Sequence, residues 1–589
     1  MKQFLLTFAA VVLAGVLLFM LPLIVLSAIA QAAMSDEPKE VKDGTVLTLD
    51  LSKPIADRDM DSPANRMRSY IGGVETARGL NTLVSNLEDA AADPKILALV
   101  LRGQYCSANR ANLRVVRQAI ADFKEASGKP VYYFDERMNN SSLYVASVAD
   151  SIFVHPESGI YLTGNSVSKY FYKRFADKFG VGFDVIKHGK YKSAVEPYFR
   201  DSMSPEDRAQ SERIVEVAWG ELRDSIASAR KVAPATIDSY VDNLDYLSGK
   251  AQTAVNLGLV DAAIYEDEFR DKVAAAVGKD YDDLEFASVY DYASEPDLGD
   301  LFKEDKVAVV YAEGQIFDGD ADGDDSNIYS RALASTIRKT RADSTVKAVV
   351  LRVNSPGGSA LASDVIWREV VLTKREKPVV VSMGGYAASG GYYISCAADY
   401  IFAEPTTLTG SIGVFGMVPN FGKVAGNLGL DFDVVSSNKE TLATAGYRPL
   451  SEAQFAAMQA NVENTYKVFV SRVCEGRGKT FAEVDSIAQG RVWMGVDAKR
   501  LGLVDALGNL DDAIDHAAEL AGLGAYAVEE LPEVDQSPMA MFKKMGFSVR
   551  LAAARMLLGA DEADALDKVR AHLDADPTCV WAVCDVELR

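Results

Sequence analysis

Ser389 sits among small residues, in the run Ala387-Ala388-Ser389-Gly390-Gly391. An apolar, β-branched stretch from Val379 to Val381 precedes it and reads as a buried strand, broken by Gly384 and Gly385. A helical pattern, Tyr392 to Ala398, follows. A serine where a strand turns into a helix suits a nucleophile. Small neighbours let a substrate backbone approach, and the free N–H groups of the helix start stabilise negative charge. On this segment alone, a Gly/Ser-rich turn without chemistry is the competing interpretation. A second stretch, Ser355-Pro356-Gly357-Gly358-Ser359, follows an apolar run. A Pro-Gly-Gly turn after a strand tolerates positive φ and exposes backbone N–H groups, which makes it a good oxyanion hole.

A serine nucleophile needs a group to take its proton. The chain has four histidines, and they are scattered. His155 ends an apolar strand pattern, His188 has no obvious acidic orienter, His516 lies in a C-terminal helix and His572 in the tail. A Ser-His-Asp triad is therefore disfavoured. Lys192, in Tyr191-Lys192-Ser193-Ala194-Val195-Glu196-Pro197, is the other base candidate. Burial disfavours a charged amine, so a desolvated lysine supplies a neutral base near pH 7. A solvated surface lysine is the ordinary alternative.

What joins these stretches is an internal repeat. Asp93 to Arg102 matches Asp343 to Arg352, 250 positions later. Gly128 to Val131 matches Glu376 to Val379, and Ala149 to Phe153 matches Ala398 to Phe402. Leu162-Thr163-Gly164 echoes Leu408-Thr409-Gly410, and Phe183-Asp184-Val185 matches Phe432-Asp433-Val434. Each copy ends in Gly-Leu-Val-Asp, at Gly258 to Asp261 and at Gly502 to Asp505. Short apolar strands alternate with amphipathic helices, among them Leu113 to Lys124 and Ala362 to Lys374, which predicts an α/β fold with largely parallel strands. The copies differ where chemistry is expected. Asn140 stands at the position of Ser389, and Gly103 to Asn109 contains no glycine pair. Conversely, Lys192 falls on Thr441. One composite site is expected, with serine and glycine turn from the second copy and lysine from the first.

At 589 residues the chain exceeds one core, and a net charge of -22 argues against a nucleic-acid surface. Five scattered cysteines make neither a disulfide scaffold nor a zinc site, though Cys579 and Cys584 are close enough to pair. Asp318 to Gly323 imitates the start of a calcium loop, but Tyr329 stands where a bidentate Glu is required, so an exposed acidic loop is expected. From Gln3 to Ser35 no residue is charged, and Phe4 to Ala30 is almost wholly apolar. That run exceeds the ~20 residues a spanning helix needs and the ~7–15 of a signal peptide. An uncleaved anchor is expected. Lys2 before it and Asp36-Glu37 after it place the bulk of the chain outside the cytoplasm.

Together the four motifs at Ser355 to Ser359, Ala388 to Tyr392, Leu408 to Gly413 and Tyr191 to Pro197 resemble the signal peptide peptidase A (protease IV) family in its long, two-repeat form. The resemblance runs from the anchor through about Gly508. It implies two tandem crotonase/ClpP-like repeats, with Ser389 as nucleophile, Lys192 as general base and Ser411 orienting the lysine amine. Gly357 or Gly358, with Gly390, would form the oxyanion hole. It further implies a homotetramer held in the bacterial inner membrane by a single span, with its catalytic part periplasmic, that cleaves remnant signal peptides. No metal or nucleotide is implied. The expected organisation is an anchor and linker (1–45), a lysine-bearing repeat (46–302), a serine-bearing repeat (303–531) and a tail (532–589) with helical stretches at Val549 to Leu558 and around Asp561 to Leu573 and no assigned role. An acyl-CoA enzyme on the same fold and a non-catalytic scaffold are the rival interpretations. The anchor, the absence of a basic phosphate patch and the retained Ser389 and Lys192 stand against them.

Overall fold

The structure, a computed structural model, describes residues 41–60, 77–248, 250–292, 303–321, 326–442, 445–533 and 581–583. The expected anchor, the two tail helices, Cys579 and Cys584 lie outside them, as does part of the acidic loop. Among the described residues no helix is long and apolar enough to cross a membrane, and no group of His, Cys, Asp or Glu is arranged to hold a metal.

Within each half, the apolar runs become a parallel sheet. The N-terminal sheet is ordered Ala262–Ala263, Ser151–Val154, Val131–Asp135, Ile96–Arg102, Thr45–Asp50, Glu285–Ser288. The C-terminal sheet repeats that order with Ala506–Leu507, Tyr400–Ala403, Val379–Ala388, Val346–Ser355, Lys306–Glu313, Ala527–Leu531. The pairings among these strands are parallel in both. Covered on both faces, such strands need near-continuous apolar sequence, which is why Ile96–Arg102 and Val346–Ser355 read so plainly. The covering helices are set by their caps. Asn109 accepts from the Asn112 N–H to start Arg110–Ser127, and Gly128 in the left-handed region ends it. Leu113, Val116, Ile120 and Phe123 make its buried stripe. Its counterpart, Ala360–Lys374, starts on the Ser359 side chain.

Three details depart from the sequence pattern. Gly384 and Gly385 do not break the strand, which runs from Val379 through Ala388. They serve close approach instead. A Cβ on Gly384 would lie 3.3 Å from Arg352 Nη2, and one on Gly385 would lie 3.1 Å from Asn109 Oδ1. The helix after Ser389 is Gly390–Ser395, starting earlier and ending sooner than Tyr392 to Ala398. Further on, the matched segments Phe183–Val185 and Phe432–Val434 take different structures. The first lies within the strand Gly182–His188, while the second is exposed chain without a strand.

The halves interlock. Gly182–His188, from the first half, pairs antiparallel with Val414–Asn420 of the second, and Ile186 is buried in the second half's core. Ion pairs cross the same boundary. Arg352 holds Asp57 at 3.0 Å with both side chains buried, Arg114 meets buried Glu404, and Arg213 meets Asp497 at 3.0 Å. A further sheet lies over this junction, in the order Ile328–Tyr329, Ile316–Phe317, Gly357–Ser359, Trp581–Val583, Val414–Asn420, Gly182–His188.

Candidate active site

Ser389 ends the strand Val379–Ala388 and occupies the N-cap position of Gly390–Ser395, at φ 56° and ψ -113°. That conformation costs a non-glycine residue on the order of 1–3 kcal/mol and persists only where the surroundings over-determine it. Here its N–H donates to the Gly410 carbonyl at 2.8 Å, and its carbonyl accepts from the Tyr393 N–H at 2.9 Å. The side chain makes no cap hydrogen bond. It is turned to Lys192.

The Lys192 amine lies 2.8 Å from Ser389 Oγ, 3.0 Å from Ser411 Oγ and 3.3 Å from the Ser411 carbonyl. Lys192, Ser389 and Ser411 are 1%, 0% and 1% exposed. The three expected side chains are therefore brought together within one chain, and the solvated-lysine alternative does not hold. Ser411 is also in the left-handed region, at φ 49°, and its N–H donates to the Arg491 carbonyl at 2.7 Å.

The glycine turn meets the serine as expected, with one refinement. A Cβ on Gly390 would lie 2.7 Å from Ser363 Oγ and 3.0 Å from the Gly358 nitrogen, and one on Gly391 would lie 2.7 Å from the Ser355 carbonyl oxygen. The two glycines after Ser389 are thus required by packing against the Ser355–Gly358 turn. Gly357, however, donates its N–H to Ser355 Oγ at 3.1 Å. That engages the Gly357 N–H within its own turn, while Gly358 and Gly390 approach each other beside Ser389.

The described histidines sit elsewhere. His188 stacks on Tyr466 with ring centroids 4.0 Å apart, His155 lies edge-on to Tyr265, and His516 packs on Tyr400. His572 is outside the described residues.

Sequence reasoning missed the segment that seats the lysine. Gly490, at φ 79°, has no room for a Cβ, which would fall 2.6 Å from Lys192 Cβ. Its N–H donates to the Ile412 carbonyl at 2.8 Å, next to Ser411. Gln210 adds a clamp. Its amide nitrogen donates to Ser193 Oγ at 2.8 Å and to the Tyr191 carbonyl at 3.3 Å, while its oxygen accepts from the Val492 N–H at 3.2 Å. Residues 490–492 therefore touch the lysine backbone, the Ser411 backbone and Gln210 together. A signal existed: in the register set by Gly258 and Gly502, Tyr246 of the first copy stands opposite Gly490. A glycine gained in the serine-bearing copy marks a close approach.

Known proteins share this arrangement of sequence. A model of peptidase family S49 matches residues 123–279 and 372–524, one stretch in each repeat and just over half of the chain. Protease 4 of Salmonella typhi is 35% identical over 563 residues, covering 91% of this chain and 90% of its own. The chloroplastic serine protease SPPA of Arabidopsis thaliana is 29% identical over 547 residues, covering 91% of this chain and 78% of its own. Among solved structures, a ClpP1 mutant from Listeria monocytogenes covers 35% of this chain and 94% of its own, at 16% identity and a TM-score of 0.23.

Proposed function

The chain belongs to peptidase family S49 and is a serine peptidase, and from that premise we propose that it is a membrane-anchored endopeptidase working through a Ser389/Lys192 dyad on apolar peptides, above all remnant signal peptides. The observation that carries the dyad is the buried 2.8 Å contact between Lys192 Nζ and Ser389 Oγ. A neutral amine has two N–H groups and one lone pair. With both N–H groups directed to Ser411 Oγ and carbonyl, the lone pair faces the Ser389 hydroxyl.

Lys192 takes the Ser389 proton as Oγ attacks the scissile carbonyl, forming a tetrahedral oxyanion held by the Gly358 and Gly390 N–H groups. The amine then passes that proton to the leaving nitrogen, and the C–N bond breaks to give an acyl-enzyme. Lys192 next takes a proton from water, which attacks the ester and releases Ser389 with its proton restored. Ser411 keeps the amine aimed throughout.

Residues 4–30 would hold the protein in a bacterial inner membrane by one span, its catalytic part on the periplasmic side, close to the apolar segments it cleaves. Four copies would form the assembly. The family assignment removes support from an acyl-CoA or scaffold role.

The test is hydrolysis of an apolar peptide ester by the full chain in detergent. Ser389→Ala is expected to abolish turnover. Lys192→Ala is expected to lower kcat by about 10²–10⁴. Because the base acts only when neutral, kcat/KM should rise with pH to a plateau. Full activity in either variant, or an optimum in acid, rejects the dyad.

A further inference from the structure

Two more amines touch the segment that carries Lys192. Lys187, near the end of the strand Gly182–His188, directs Nζ to the Lys192 carbonyl at 3.3 Å. Lys169 directs Nζ to Ser193 Oγ at 3.4 Å and to Asp207 Oδ1 at 2.9 Å. The Lys169–Asp207 pair is almost out of solvent, with side chains 8% and 0% exposed. Asp207 lies in the first turn of Pro205–Arg230. Gln210, on the same helix, brings its amide nitrogen to Asp207 Oδ1 at 3.1 Å and to Ser193 Oγ at 2.8 Å. Asp207 therefore reaches Ser193 through two donors, Lys169 and Gln210, and the cation is the nearer charge.

Stability gives little reason for this arrangement. A buried ion pair seldom repays its desolvation, and Asp207 Oδ2 is buried without a hydrogen-bond partner, which adds a cost. The duplication ties the group to the base instead. Aligning Leu162 on Leu408, Phe183 on Phe432 and the N-caps Ser204 on Ser451 matches Lys169, Lys187 and Asp207 to Phe415, Ser436 and Gln454. The copy that lacks the base lacks these three charges as well. A like charge nearby disfavours a protonated amine, and in a buried setting salt screens it little. The other charges around the segment are engaged. Arg200 and the Ser204 N–H hold Glu196 at 3.8 Å and 3.0 Å, and Arg491 lies over the Tyr191 ring. Glu196, Arg200, Asp207 and Glu206 are the groups that act on Lys187.

Resting on the assignment of Lys192 as base, we propose that Lys169 and Lys187 are positioning residues that hold residues 192–193 and, as cations, keep the Lys192 amine neutral at lower pH than burial alone would. Asp207 seats Lys169 with its charge toward Ser193 and tempers that charge from behind. The hydrogen bonds fix where the base stands, and the charges fix the pH at which it works.

The test is the pH profile of kcat/KM for an apolar peptide ester, measured on the full chain in detergent. Lys169→Gln and Lys187→Gln keep an N–H donor and remove the charge. Each is expected to move the midpoint of the rising limb to higher pH by about one unit, about a tenfold loss at a fixed pH on that limb. Lys169→Arg and Lys187→Arg should return the midpoint toward the parental value. Asp207→Asn keeps an acceptor and removes the anion, so it should move the midpoint to lower pH. A merely structural role would lower the plateau and leave the midpoint in place. Unmoved midpoints in both Gln variants overturn the proposal, as does a shift in Asp207→Asn of the same sign as in Lys169→Gln. Should the variants of the buried pair fail to fold, the half-buried Lys187 decides through Lys187→Gln alone. Lys192→Ala separates the two ideas. A rising limb that persists in it rejects the base assignment, whereas a limb that needs Lys192 but ignores the Gln substitutions rejects only the flanking cations.

Discussion

Ser389 and Lys192 were legible because the two copies differ at those positions, and each difference maps to a side chain of the same buried contact. Gly490 and Gln210 were not, because their importance arises from contacts between halves that no local pattern encodes. Gly490 yields a test at this scale. A methyl group there would meet Lys192 Cα at 2.7 Å, and the backbone is in the left-handed region at φ 79°. Gly490→Ala is therefore expected to displace the amine and lower kcat by about 10²-fold, the loss associated with roughly 1 Å of misplacement. KM for a small ester should change little. A variant with parental kcat would show that the lysine is seated independently of this segment. Gln210→Leu removes both arms of the clamp around residues 191–193 and is expected to act in the same direction, lowering kcat for the same ester without a matching rise in KM.

Among the strands, periodicity and β-branching located the two sheets, and the repeat gave their common plan. The pattern failed at Gly384 and Gly385 because glycine is ordinarily a strand breaker, whereas here two polar side chains, Arg352 and Asn109, pack against the strand face. Arg352 shows how the copies diverged at a matched position. Arg102 makes a two-pronged pair with Glu266 in a partly exposed setting, while Arg352 is buried against Asp57. Asp57 also acts on Glu313, at the end of Lys306–Glu313. Burial, reinforced by the Asp57 charge, pushes the Glu313 carboxyl up from 4.5 to about 7. The folded chain therefore holds this proton more tightly than the unfolded chain does. Its contribution to stability is fully present below pH 4.5 and is lost as pH rises through about 7. Glu313→Gln fixes the neutral form, so it should match the parent in acid and exceed it above pH 7 by on the order of 1–3 kcal/mol. Thermal denaturation at pH 5 and pH 8 checks this. An equal difference at both values would exclude Glu313 as the source.

Across the whole molecule, two segments lie outside the strands that their counterparts in the other copy form. Gly182–His188 of the first half pairs with Val414–Asn420 of the second. The Leu162 to Gly164 register, 246 positions from Leu408 to Gly410, sets residues 168–174 opposite Val414–Asn420, and Phe432–Val434 answers Phe183–Val185. Residues 168–172 and 432–434 form no strand, and Tyr170, Phe432 and Val435 are 83%, 46% and 100% exposed. If one chain's 432–434 pairs with the next chain's 168–172, the junction inside the chain is repeated between chains. Such a head-to-tail contact closes a ring when its rotation allows, and four members is the number the family resemblance implies. Apolar surface of this kind on a monomer is a cost unless covered. Val435→Asp and Tyr170→Asp, on opposite sides of the contact, should each yield monomers by light scattering, and mixing the two variants should restore no more than dimers. Because Lys192 reaches Ser389 within one chain, those monomers are expected to keep their turnover of a small ester. An oligomer that survives both substitutions would place the contact elsewhere, and a monomer that stays folded but has lost turnover would mean that neighbouring copies hold the dyad in place.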